Sequence, residues 1–68
     1  MLKYKMNVIN ALKEKGYTTY TLRKSKLLSE STIQKLREEA GVSWENLDTL
    51  CKLLECDISD LLEYVKED

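Results

Sequence analysis

TTYTLRKSKLLSESTIQKLR, residues 18–37, reads as two short helices joined by a tight turn with an apolar centre. Thr18 and Ser29 have side chains suited to accept a hydrogen bond from the first free amides of a helix. Each follows an apolar residue, Tyr17 or Leu28, and a second apolar residue falls five positions later, at Leu22 or Ile33. That is the spacing of a hydrophobic staple across a helix start. The signature recurs as Val42-Ser43 with Leu47 and as Cys56-Asp57 with Leu61. Four such starts predict helices over roughly 19–26, 30–39, 44–55 and 58–63.

Upstream, Asn7 can cap a first helix running to about Lys15, with Val8, Ile9 and Leu12 on its inner face. Gly16 sits just past that end, where a helix commonly closes on a left-handed residue. Downstream, Leu47, Leu50, Cys51 and Leu54 have the three-four spacing of one buried stripe, and Ile58, Leu61 and Leu62 are assigned to the same core. Trp44 is expected to be partly buried, as large aromatic side chains usually are. At the two ends, Leu2, Tyr4 and Met6 alternate with Lys3 and Lys5, and Glu63-Tyr64-Val65-Lys66 is again strand-like. An antiparallel pair of the ends sets Lys3 and Lys5 against Glu63 and Glu67; frayed ends are the alternative.

The expected fold is therefore all-α, with five helices in a single domain of residues 1–68, its two chain ends either paired as short strands or frayed. The absence of proline and the presence of only two glycines favour helices with short connections. Hydrophobic content of 43% and charged content of 34% suit a soluble globular protein. No apolar run approaches membrane-spanning length and the start does not resemble a signal peptide, so the expectation is a cytoplasmic protein with no membrane partner.

The formal net charge of -1 conceals an asymmetry. Residues 1–37 hold nine Lys/Arg against two Asp/Glu, a balance of +7; residues 38–68 hold two against ten, a balance of −8. A basic half beside an acidic half suits a molecule with one face toward a polyanion. The helix predicted over 30–39 turns Ile33 and Leu36 inward and Glu30, Ser31, Gln34, Lys35 and Glu38 outward. In the major groove of DNA, Gln pairs with adenine edges, Lys with guanine, Ser with several bases, and Glu accepts from cytosine. Thr19 and Tyr20 open the preceding helix, where backbone amides and hydroxyls suit a phosphate, and Thr32 is placed to do the same. Lys24, Lys26 and Arg37 add candidate phosphate contacts.

Other chemistries find little support. There is no histidine, so neither a Ser-His nor a Cys-His nucleophile pair can form, and an enzyme is not expected. Cys51 and Cys56 are five apart, lack histidine partners for an ordinary structural zinc site, and read as core thiols; no metal or cofactor is expected.

The stretch TTYTLRKSKLLSESTIQKL, followed by VSWENLDTLCKLLECDISDLLEYV, resembles the Cro/C1-type helix-turn-helix family, also called xenobiotic-response-element-like regulators, in its small single-domain branch. The similarity runs from about Tyr4 to Val65. It implies a five-helix, lambda-repressor-like fold that binds operator DNA, commonly as a homodimer, and regulates transcription. The family's phosphate-contacting entry falls on Thr19 and Tyr20, and its base-reading positions on Ser29, Glu30, Ser31, Gln34 and Lys35. Two departures stand out. Arg23 occupies a position usually held by a small alanine, and must reach outward or push the two helices apart. Leu27 occupies a position usually held by a glycine at positive φ, which predicts a turn built differently. A protein-interaction module, or an antitoxin-like partner protein on the same scaffold, is the competing reading, favoured by the acids at Glu30, Glu38 and Glu39.

Overall fold

The computed structural model describes residues 1–66. Its elements run β1 (Leu2–Tyr4), α1 (Val8–Glu14), α2 (Thr19–Lys24), α3 (Glu30–Arg37), α4 (Trp44–Leu54), α5 (Ile58–Leu61) and β2 (Leu62–Tyr64). Every helix begins where its capping residue predicts. The side chains of Asn7, Thr18, Ser29 and Ser43 accept from amides three residues on, and Asp57 caps α5 in a reciprocal box with Asp60. These are local hydrogen bonds between a side chain and its own backbone, so they survive almost any tertiary context.

The ends of the first four helices fall one or two residues short of expectation, for a common reason. Gly16, Lys26, Glu39 and Glu55 all adopt left-handed φ, at 93°, 59°, 58° and 53°. In each case the next residue donates its N–H five residues back: Tyr17 to Leu12, Leu27 to Leu22, Ala40 to Lys35 and Cys56 to Cys51, at 2.8–3.1 Å. This closure satisfies carbonyls at the end of each helix. Lys26, Glu39 and Glu55 are therefore the residues that stop α2, α3 and α4. An L-residue in this region costs about 1–2 kcal/mol, which only glycine avoids. The turn after α2 is indeed built differently from the expected pattern: its positive φ lies at Lys26, one position before Leu27.

The core is an apolar cluster in which Leu12, Leu22, Ile33, Leu50 and Leu61 are wholly buried, one from each helix. Val8, Leu28, Leu36 and Leu54 complete it, while Ile9, Leu47, Cys51 and Leu62 are half-buried at its edge. Two expectations are corrected. Ile58 is 44% exposed and Trp44 is 89% exposed. Both occupy the first helical position after a cap, at the rim of the core, where the inward stripe has not yet begun.

The chain ends pair as a two-stranded antiparallel ribbon, with Leu2 opposite Tyr64, Lys3 opposite Glu63 and Tyr4 opposite Leu62. α5 stops at Leu61 because the backbone turns extended at Leu62 (φ -126°, ψ 155°) to enter the ribbon. Among the described residues Lys5 pairs with no acid: its amide bonds Leu61 O at 2.9 Å and its Nζ donates to Ser59 O at 3.1 Å. Glu67, its expected partner, lies outside the described residues.

Candidate nucleic-acid interface

α3 owes its orientation to three inward residues. Ile33 and Leu36 enter the core, and Thr32 is 6% exposed. The Thr32 hydroxyl accepts from Asn46 Nδ2 of α4 at 3.0 Å and from Ser29 Oγ at 2.9 Å, while its amide donates to Ser29 Oγ at 3.2 Å. Thr32 was expected to meet a phosphate. Its amide and hydroxyl are instead engaged inside the domain, so it ties α3 to α4 rather than facing outward. At the far end of α3, Tyr4 Oη donates to Ala40 O at 2.6 Å and anchors the exit to the ribbon. Partial burial there pushes the Tyr4 phenol above its ordinary 10.0.

With those residues inward, helical spacing leaves two outward rows on α3. One is Glu30, Gln34 and Glu38; the other is Ser31 and Lys35. All five side chains are exposed. The first row is internally satisfied: Gln34 Nε2 donates to Glu38 Oε2 at 3.0 Å, and Arg23 reaches across the turn to Glu30 Oε2 at 2.8 Å. The bulk of Arg23 is thereby accommodated, because its side chain leaves the α2–α3 contact and ends in solvent beside Glu30. An exposed pair of this kind contributes only about 0–1 kcal/mol to stability, so a stronger competitor for either group displaces it. In the second row, Ser31 Oγ lies 3.1 Å from Ser29 Oγ. No ion pair among the described residues engages Lys35.

α2 supplies the flanking surface. Its cap takes the Thr21 amide, which leaves the preceding amides of Thr19 and Tyr20 at the open helix start. Tyr20 is 63% exposed, and Lys24 Nζ stands 5.6 Å from its ring centroid, so the cation and the phenol share one face. Lys24, Lys26 and Arg37 are exposed and, among the described residues, engage no carboxylate. The surface as a whole is a polar helix face with cations placed around it and two weakly held acids inside it.

The sequence missed Asn46, which orients Thr32 from fourteen residues away, and it missed the Arg23–Glu30 pair. Neither has a local signal, because both depend on how successive helices cross. The Gln34–Glu38 pair was available from its i,i+4 spacing. Elsewhere, among the described residues, no group of three or more Cys, Asp or Glu is placed to hold a metal ion. No helix among them is long and apolar enough to cross a membrane.

Five helices with α2 and α3 set as a helix-turn-helix, closed by a terminal ribbon, define a small DNA-binding domain. The family model of the Cro/C1-type HTH DNA-binding domain matches residues 7–67, nearly the whole chain, and the chain belongs to that family. No curated protein and no solved structure matches it.

Proposed function

We propose that the protein is a sequence-specific transcriptional regulator, acting as a repressor, that places α3 in the major groove of its operator. The observation that carries this reading is the outward face of α3: Ser31, Gln34 and Lys35 stand exposed on a helix whose other side is fixed by Ile33, Leu36 and Thr32. In this reading Gln34 and Lys35 read base edges, with Ser29, Glu30 and Ser31 at the entry of the helix. The amides of Thr19 and Tyr20 take one phosphate, and Lys24 and Arg37 take others, which sets register without reading sequence. Glu30 and Glu38 hold Arg23 and Gln34 in the free protein, and their charge works against binding to DNA at large. A twofold-symmetric pair of such domains reads two half-sites about one helical turn apart.

A second reading, a protein-interaction module, is favoured by the 89% exposure of Trp44 on the acidic half of the chain. Selection of binding sequences from a random duplex pool at moderate salt separates the two. Enrichment of one short motif is the expected result, and a twofold repeat of it is the mark of a dimer. A folded protein that enriches nothing sinks the DNA reading.

A further inference from the structure

The closure at the end of α4 carries two hydrogen bonds. Glu55 is left-handed and its amide donates to Lys52 O at 3.3 Å, while the amide of Cys56 donates to Cys51 O at 3.1 Å. This paired pattern brings the side chains of its two outer residues together, and apolar groups commonly fill that contact. The bond of the same span after α1 joins Tyr17 to Leu12, and the one after α2 joins Leu27 to Leu22. After α4 the two positions hold Cys51 and Cys56, the only cysteines of the chain.

The two thiols are free and both are half-buried, so reagents in solvent can reach them. Both line one open groove of about 610 Å³ that runs between α4, the start of α5 and the ribbon. The two sulfurs also interact. The Cys56 thiol is pushed above its ordinary value first by burial and next by Cys51, with Asp60 and Asp57 adding to the effect. A main-chain hydrogen bond between two residues sets their Cα atoms roughly 5–6 Å apart, a separation that a disulfide spans without backbone movement.

We propose that Cys51 and Cys56 form a reversible disulfide site, closed by exchange with a low-molecular-weight disulfide. The Cys51 thiolate attacks one sulfur of that disulfide and expels the other half as a thiolate. Cys56 then loses its proton to solvent, attacks Cys51 Sγ in the mixed disulfide and expels the second half. The protein gives up two electrons and two protons, and one small disulfide becomes two small thiols. Cys56 suits the second step, because a thiol held above its ordinary value is a slow first nucleophile but is delivered to its target by the fold. Closure encircles Glu55 and holds its left-handed backbone covalently, so the corner between α4 and α5 is fixed in the oxidised chain.

The test equilibrates the reduced full chain in glutathione buffers of graded ratio, quenches in acid, and counts by mass spectrometry the thiols still open to alkylation. The expected product is a monomer two hydrogens lighter that takes up no alkylating reagent and returns to the dithiol with dithiothreitol. Its circular dichroism should be unchanged and its Tm higher by roughly 5–10 °C, since the new bond closes a short loop that the fold already closes. The same chain unfolded in urea should need about tenfold or more oxidised glutathione, because the helix closure rather than the spacing in sequence holds the pair together. Cys56→Ser should stop as a mixed disulfide with one glutathione. Mixed disulfides that persist at both cysteines of the parent chain, cross-linked dimers in place of the internal bond, or equal closure in urea would overturn the proposal. The site stands apart from DNA reading: a failed sequence selection leaves it untouched, and failed closure leaves the DNA reading untouched.

Discussion

The turn between α2 and α3 can be tested by moving a glycine along it one position at a time. Lys26 has φ 59°, whereas Leu27 is not among the residues at positive φ. Lys26→Gly should relieve a left-handed penalty of about 1–2 kcal/mol. It also loosens the unfolded chain, which costs about 0.5–1 kcal/mol. The exposed lysine makes no ion pair among the described residues, so little is lost with it. The net expectation is a stabilisation of about 0.5–1 kcal/mol, or roughly 2–8 °C in Tm for a domain of this size. Leu27→Gly should do the reverse. Leu27 is only 38% exposed, so truncation loses apolar burial of about 1–2 kcal/mol. The added backbone freedom brings the loss to about 1.5–3 kcal/mol. Lys26→Ala separates charge from strain, because alanine keeps the left-handed penalty and should leave stability within about 0.5 kcal/mol of the parent. Urea unfolding followed by circular dichroism measures all three. A Leu27→Gly variant more stable than Lys26→Gly would refute the reasoning, and would put the positive φ back where the family usually has it.

Four further expectations follow from the same structure. Gln34→Ala and Lys35→Ala should each cost about 1–3 kcal/mol on the selected motif and much less on scrambled DNA; equal losses on both, by fluorescence anisotropy, would reduce them to phosphate contacts. Lys24→Ala should lower the slope of log affinity against log salt by about 1, and Glu30→Gln should strengthen generic binding; an unchanged slope counts against Lys24. Thr32→Val removes a hydroxyl that accepts from both Asn46 and Ser29, and should destabilise the fold by about 1–2 kcal/mol; in a Thr32→Val/Asn46→Leu double variant part of that loss should return, and a fully additive result would uncouple the pair. Stability should also fall at alkaline pH through Tyr4. Its phenol is held above 10.0 in the folded chain, so the contribution is complete below that value and is lost as pH rises through the folded pKa. Tyr4→Phe should lose that part of the alkaline dependence, read as denaturation midpoint against pH, and an unaltered profile would remove Tyr4 as its source.

The features legible in the sequence are those whose physics is local. Asn7, Thr18, Ser29, Ser43 and Asp57 each satisfy amides within three residues of themselves, so every helix start could be placed before any packing was known. The apolar stripes were legible for the same reason, because the helical period alone assigns Ile33, Leu36, Leu50 and Leu54 to one side. The outward face of α3 followed as their complement. Helix ends were less legible, because the left-handed residue at three of them is Lys or Glu, whose chemistry does not announce the conformation as Gly16 does.

What only the tertiary structure decided concerns where elements meet. Whether Trp44 lies in the core or in water depends on where the core ends, not on the indole. The exposure of Leu2 and Tyr64 depends on the ribbon being longer than the surface beneath it. The roles of Thr32, Asn46, Arg23 and Glu30 were set by the crossing of α2, α3 and α4, which brings together groups seven and fourteen residues apart. Capping free energy belongs to a residue and its neighbours in the chain, whereas burial and ion pairing belong to a position in space. The first can be read along one dimension, and the second exists only once the helices have packed.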